Sequence, residues 1–147
     1  MQRAHACIST RMLTRRSLYL AFVLLSACMM PGAAQNHRFA GVWEARFQGE
    51  VFMRLKLQAA DTVSGTLSGG HIDVNREGDI TNASGGGKEL PISNVTIDGD
   101  KMLFDWKEDD DETSKLSFKL TGDGQAELQF LNIPEGAKMK PIRLTKS

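Results

Sequence analysis

Residues 115–130 have the sequence KLSFKLTGDGQAELQF, in which apolar and polar residues alternate on both sides of Gly122-Asp123-Gly124. An alternation with a period of two places all the apolar side chains on one face of an extended strand. Asp-Gly supplies the positive φ angles that tight hairpin turns require. The segment therefore predicts two antiparallel strands that are joined by a hairpin and bury one face each.

The same alternation recurs along most of the chain. Further runs occupy residues 43–47, 51–57, 63–67, 102–107 and 142–144. Turn residues such as Asp98-Gly99-Asp100 separate the runs, and no segment keeps a helical period. About eight or nine strands in this arrangement predict an all-β domain built as a single antiparallel up-and-down meander. Because no helix covers the sheet, we expect it to close into a small barrel, with a two-sheet sandwich as the alternative.

The first thirty-four residues differ from this pattern and have the three parts of a secretory signal peptide. A positive start is formed by Arg11, Arg15 and Arg16. Residues 18–30 follow as an apolar run, shorter than the roughly twenty residues that a transmembrane helix needs. After Pro31, the small residues Gly32-Ala33-Ala34 provide a cleavage site before Gln35.

These features divide the chain into three parts. We expect residues 1–34 to be a signal peptide, residues 35–38 to be a short tether and residues 39–147 to be the barrel domain. Met12 is an alternative start, because a positive segment and the apolar run also follow it. The protein is therefore expected outside the cytoplasm, in the periplasm or the extracellular space.

A lipid anchor is the alternative fate of the same segment. Leu25-Ser26-Ala27-Cys28 resembles the lipobox of bacterial lipoproteins, in which the cysteine is lipidated and becomes the new N-terminus. Cys28 is thus a candidate lipidation site, and such an anchor is the only membrane contact that we expect. The one other cysteine is Cys7, so no disulfide is expected in the barrel domain.

The charge distribution argues against nucleic acid as a partner. All eighteen acidic residues but only fourteen of the eighteen basic residues follow residue 34, which leaves this part mildly acidic. Five acidic residues are consecutive at positions 108–112. Such a run is typical of a solvated hairpin tip, and as the alternative it offers a surface to a partner protein of the cell envelope.

Few residues in the barrel domain could carry out catalysis. After residue 34 the histidines are His37, which lies in the tether, and His71, which lies near Ser68 and Asp73. A catalytic triad needs such side chains to converge in space, which this spacing does not indicate. We therefore predict no catalytic residue, cofactor or metal ligand, and a hydrolase remains a remote alternative.

Two loops resemble ligand-binding motifs only in part. Residues 73–80 match the start of a calcium-binding loop, but Ser84 occupies the twelfth position, where a bidentate Glu is needed, so we expect a polar turn. Residues 83–88, ASGGGK, lack the spacing of a phosphate-binding loop. We interpret them as a flexible loop that would gate a cavity if it lay at a barrel mouth.

A Gly-x-Trp motif in residues 39–43, FAGVW, opens the first predicted strand. Residues 62–69, TVSGTLSG, follow two strands later, and Arg143 lies in the last strand. This arrangement resembles the calycin plan of lipocalins, fatty-acid-binding proteins and avidins, and also small exported bacterial domains. The resemblance implies a barrel in which Arg143 packs across Trp43 and closes one end.

Seven large apolar residues are predicted to point into one interior: Trp43, Phe47, Met53, Phe104, Trp106, Phe118 and Phe130. In a narrow barrel such side chains fill the interior completely. In a wider barrel they line a cavity for a small apolar ligand. We predict a non-enzymatic exported barrel that binds a small apolar or amphipathic ligand through these residues and Arg143. The alternative is a solid-core accessory module that docks on an envelope protein.

Overall fold

The computed structural model describes residues 31–108 and 112–147. The predicted signal peptide up to Met30, with the candidate lipidation site Cys28 and the alternative start Met12, lies outside the described residues. So do the three aspartates at positions 109–111 of the acidic run. Within the described ranges, no helix has the length and apolar character that crossing a membrane requires.

The described residues contain one short helix and ten strands, joined by turns and loops. Helix α1 spans Pro31–Asn36. The strands are β1 (Gly41–Phe47), β2 (Glu50–Ala59), β3 (Val63–Gly69), β4 (Ile72–Val74), β5 (Ile80–Ala83), β6 (Leu90–Asp98), β7 (Lys101–Lys107), β8 (Thr113–Gly122), β9 (Gln125–Phe130) and β10 (Ile142–Lys146).

Eight of these strands form a closed antiparallel barrel in the order β1-β10-β9-β8-β7-β6-β3-β2. Neighbours in the barrel are also consecutive in the chain, except where β4 and β5 intervene and where β10 meets β1. This confirms the predicted all-β meander and its closure, and the barrel replaces the sandwich alternative. Strands β4 and β5 form a separate two-stranded sheet between β3 and β6, which the sequence pattern did not predict.

The hairpin predicted from residues 115–130 is the pair β8–β9. Phe118 lies opposite Leu128, and Leu116 lies opposite Phe130, so the apolar residues of both strands share a face. Gly124 in the turn has a φ of 65°, which glycine adopts without a steric cost. The alternation of the sequence thus translates directly into an inward and an outward face.

Buried side chains from seven of the eight barrel strands fill the interior, and β6 adds partly buried apolar residues. The largest that are essentially inaccessible to solvent are Trp43, Phe39, Phe104, Phe118, Leu55, Leu67, Met102, Leu116, Leu128 and Leu144. They belong to one continuous cluster of buried apolar residues. An eight-stranded barrel has an interior that is just wide enough for side chains to fill, which agrees with this packing.

One end of the barrel is closed by the chain that leads into β1. Phe39 is fully buried, and the indole Nε1 of Trp43 donates a hydrogen bond of 2.8 Å to its carbonyl oxygen. The ring of Phe118 meets the Trp43 ring edge to face, with centroids 5.1 Å apart. The segment predicted as a tether also has a defined course, since Gln35 Nε2 donates to the Gly99 carbonyl at 3.1 Å. Residues 35–40 therefore form the plug of this end.

The cation that covers Trp43 is Lys146, and the prediction that Arg143 packs across this ring is wrong. Lys146 Nζ lies 5.4 Å from the centroid of the Trp43 ring, and the two residues are partners in the register of β1 and β10. Arg143 is exposed and lies opposite Glu127. In β10 the inward positions are those of Ile142 and Leu144, so position 143 faces outward, away from Trp43.

On the outer wall, Glu44 is held between two arginines. Its side chain is only 7% exposed, although it is on the solvent side of β1. Glu44 Oε2 accepts a hydrogen bond from Arg46 at 2.7 Å, and Oε1 accepts two from Arg54 at 2.9 and 2.7 Å. The pKa of the Glu44 carboxyl is lowered, chiefly by the hydrogen bond from Arg54. Burial acts in the opposite direction and raises this pKa, and the hydrogen bond from Arg46 lowers it further.

We expect Glu44→Gln to lower the free energy of unfolding by about 1 kcal/mol at pH 7, because charge-assisted bonds to two half-exposed arginines are lost. Since the folded-state pKa lies below the ordinary value of 4.5, the contribution is complete above that pH and is lost as the pH falls through the folded-state pKa. Urea denaturation from pH 7 to pH 3 measures this. A difference between variant and parent that stayed constant over this range would contradict the assignment.

Candidate ligand site at the barrel mouth

An apolar pocket lies at the barrel end where β7 ends and β8 begins, and we call it the mouth pocket. Its volume is about 210 Å³. The apolar side chains that line it are Met53, Ile72, Val74, Trp106, Phe130 and Met139. Three of these, Met53, Trp106 and Phe130, are among the residues predicted to bind a ligand, and they come from three different barrel strands.

The mouth pocket exists because of a glycine at the end of β3. Gly69 lies opposite Met53 in the register. A Cβ atom at position 69 would be 3.3 Å from Cη2 of Trp106 and 3.5 Å from Cε of Met53. Any larger residue at this position would therefore project into the space between these two side chains.

Two segments outside the barrel cover the mouth pocket and are tied to each other. The β4–β5 hairpin contributes Ile72 and Val74, and residues 131–141 contribute Met139. Lys140 Nζ donates to Asp79 at 2.6 Å, which lowers the pKa of the Asp79 carboxyl, and the Lys140 backbone N–H donates to the Gly78 carbonyl at 2.9 Å. The cover of the pocket is thus one connected structure.

The glycine run at positions 85–87, which we interpreted as a flexible loop, has no regular structure, and two of its glycines lie close to the backbone of the barrel. The Ser84 backbone N–H donates to the His71 carbonyl at 3.0 Å. A Cβ atom at Gly87 would lie 1.5 Å from the Gly69 carbonyl oxygen, and one at Gly85 would lie 2.6 Å from the Val51 carbonyl oxygen. Glycine is needed at these positions because the backbones approach one another so closely.

The other predicted ligand residues lie elsewhere. Trp43, Phe104 and Phe118 are buried in the packed interior, and Phe47 is partly buried against the same core. Arg143 lines a separate outer groove of about 420 Å³ together with charged residues of both signs, Arg46, Asp79, Glu127 and Lys140. The structure therefore divides the predicted set between the mouth pocket, the core and the outer wall.

Sequence reasoning missed Gly69, Ile72 and Met139 as parts of this site. The spacing of Ile72 and Val74 is that of a strand, but the polar residues between and after them indicated only a turn. Met139 lies in a segment without regular structure, where no periodicity could indicate a contact with the barrel. These three residues reach the pocket through tertiary packing alone.

Polar residues that line the mouth pocket are few. Glu108 and Ser114 contribute to its lining. Trp106 is 4% exposed, and its indole Nε1 is buried without a hydrogen-bond partner among the residues that the structure describes. Trp43 differs, because its Nε1 donates to the Phe39 carbonyl.

The calcium-like segment forms a polar turn. The Asn75 side-chain oxygen accepts hydrogen bonds from the backbone N–H groups of Glu77 at 3.0 Å and Asp79 at 2.8 Å, and Gly78 has a φ of 86°. Asp73 Oδ2 accepts a hydrogen bond from Asn82. Among residues 31–108 and 112–147, no three His, Cys, Asp or Glu side chains are grouped so that they could hold a metal ion.

His71 lies on the open surface of the β4–β5 hairpin. Its Nε2 is 2.9 Å from Oδ1 of Asp73, and the two side chains are 69% and 50% exposed. The hydrogen bonds from Asn82 and then from His71 lower the pKa of the Asp73 carboxyl. The pair therefore lies on the surface of the hairpin and does not line the mouth pocket.

No protein-family model matches the chain, and no curated protein or solved structure is significantly similar to it. The class of protein is therefore defined by the fold alone. It is a small closed antiparallel barrel of eight strands, which is compatible with a calycin-like plan.

Proposed function

We propose that this protein is not an enzyme and that it binds a small apolar or amphipathic molecule in the mouth pocket. The observation that carries the proposal is an open apolar cavity of about 210 Å³ at the end of an otherwise packed barrel. Ligand sites in proteins are mostly apolar concavities with a few polar groups, and the mouth pocket has this composition.

The size and chemistry of the pocket limit the ligand. A volume of 210 Å³ corresponds to about seven water molecules, so the ligand is a compact molecule or one end of a longer one. Methionine side chains adapt their shape, and aromatic rings offer flat apolar surfaces. Met53 and Met139 would therefore adjust to a ligand that packs on Trp106 and Phe130.

Ethylbenzene is a suitable probe of the proposed site, and the methionines report its binding. In protein labelled with ¹³C at the methionine methyl groups, we expect the signals of Met53 and Met139 to shift and to saturate at a Kd on the order of 0.1–1 mM. Met102 is the internal control, because it is fully buried in the packed interior. Shifts that are absent up to the solubility limit, or equal at Met102, would overturn the proposal.

A substitution that blocks the mouth pocket tests the site by the same measurement. Gly69→Val places two methyl groups between Met53 and Trp106 and is expected to weaken ethylbenzene binding at least tenfold. Ser64→Val adds the same side chain to an exposed position of the same strand and is expected to leave the affinity unchanged. Equal affinities of the two variants would show that the probe binds elsewhere.

We propose that the protein acts outside the cytoplasm after cleavage before Gln35, with lipidation of Cys28 as the alternative. The intact mass of protein recovered from the envelope fraction distinguishes cleavage from lipidation.

The packed interior also favours a second candidate function, that of an accessory module on an envelope partner. That candidate is preferred if ethylbenzene does not bind.

A further inference from the structure

The outer groove of about 420 Å³, which Arg143 lines, combines basic side chains with apolar surface. Arg46 in β1 and Arg143 in β10 both line it, and both side chains are open to solvent. Phe52, Ile80 and Pro141 line it as well. We infer that the outer groove binds a small organic carboxylate that carries an apolar group. The inference goes beyond the proposed function, because the groove shares no lining residue with the mouth pocket.

A β-bulge in β2 supplies part of the apolar surface. In the register of β1 and β2, Ala45 lies opposite Met53. The next residue, Arg46, lies opposite Val51, which leaves Phe52 as the extra residue of the bulge. A bulge re-aims a side chain, and bulges are frequent next to active sites. Here the bulge places an aromatic ring that is 4% exposed along the groove.

The two arginines lie where the pairing of β1 with β10 ends. Among the described residues, the last pair of these strands towards the groove is Glu44 with Thr145. If the register continued, Arg46 would lie opposite Arg143, and like charges in that arrangement are destabilising. An anion between the two guanidinium groups would replace this repulsion by attraction on both sides. The forked N–H groups of arginine also match the two oxygens of a carboxylate.

The acidic residues at and beside the groove each have a cation other than Arg46 and Arg143 as a neighbour. These neighbours are Lys140, which donates to Asp79 at 2.6 Å, Arg54, which donates twice to Glu44, and Lys119, which lies opposite Glu127 in the register. The charge of the two arginines is therefore available to a ligand. Because Asp79 and Glu127 still line the groove, a singly charged carboxylate is repelled less than a phosphate group with nearly two charges.

The acid 3-phenylpropionate and its amide test the inference, because they have the same shape and only the acid is charged. In protein labelled with ¹³C at the isoleucine methyl groups, we expect the acid to shift the Ile80 signal with a Kd of about 1 mM. The amide is expected to bind about fivefold more weakly. Ile97 is the control, because it does not line the groove. An unmoved Ile80 signal, equal shifts at Ile97, or equal affinities of acid and amide would overturn the inference.

A charge-removing variant assigns the site. Arg143→Gln changes an exposed side chain and is expected to weaken binding of the acid about fivefold while leaving that of the amide unchanged. Lys101→Gln removes the same charge from an exposed position at the start of β7, outside the groove, and is expected to leave both affinities unchanged. Equal effects of the two variants would overturn the inference, because binding would then follow the net charge alone. Ethylbenzene binding to Arg143→Gln is expected to equal that of the parent, so the two sites are tested separately.

Discussion

Trp43→Ala is expected to lower the free energy of unfolding by about 3–5 kcal/mol, which is the usual cost of deleting a buried tryptophan side chain. Trp43 is 1% exposed, packs edge to face on Phe118 and donates to the Phe39 carbonyl. The variant loses all of these contacts and leaves that carbonyl without its donor. It also removes the ring beneath Lys146.

Urea denaturation of the parent and the variant measures the loss. Trp43→Phe is the matched control, because it keeps an aromatic ring and removes the N–H group, and its loss is expected to be about half as large or less. Ethylbenzene binding to the Trp43→Phe variant is expected to be unchanged, since Trp43 does not line the mouth pocket. A loss below about 1 kcal/mol for Trp43→Ala would contradict the plugged end of the barrel.

Gly87→Ala is expected to lower the free energy of unfolding by about 3 kcal/mol or more, because the added Cβ would lie 1.5 Å from the Gly69 carbonyl oxygen. This neighbour is a backbone atom at the end of β3, so a rotation of a side chain cannot relieve the overlap. The glycine run must therefore move away from β3, and the mouth pocket, which Gly69 lines, is distorted with it.

The matched control for this variant is Gly122→Ala. A Cβ atom at position 122 would meet only the Gln125 side-chain oxygen, at 3.9 Å, so the stability is expected to stay within about 0.5 kcal/mol of the parent. Thermal unfolding of the two variants side by side makes the comparison. Equal midpoints would mean that residues 85–87 do not pack on β3 as the structure places them.

The alternation of residues such as Leu116, Phe118 and Leu120 was enough to predict the barrel strands, and the closure was inferred from their number and from the absence of covering helices. The alternation succeeded because most of the information in an up-and-down barrel is local: each strand buries one face, and all barrel pairs except β3–β6 and β10–β1 join strands that are consecutive in the chain. It failed for β4 and β5, which have three and four residues. Runs of that length contain too few alternating positions to distinguish a strand from a turn.

The site could be predicted only in part for a different reason. The prediction that Trp43, Met53 and Trp106 point inward was correct. Inward orientation alone does not indicate which of these residues line a pocket at a barrel end. That depends on the stagger of the strands and on the covering segments, which come from distant parts of the chain. The prediction that Arg143 packs across Trp43 was wrong because it was taken from a resemblance. The alternation around Ile142 and Leu144 already indicated that position 143 faces outward.

The pairing of β1 with β10 has a consequence for when the barrel can form. Trp43 and Glu44 find their partners, Lys146 and Thr145, about a hundred residues later in the chain. Without β10 the other strands can form only an open sheet, with β1 and β9 as exposed edges that can join other chains. The last strand of the chain thus removes both open edges at once, and a chain truncated before Ile142 is expected to aggregate.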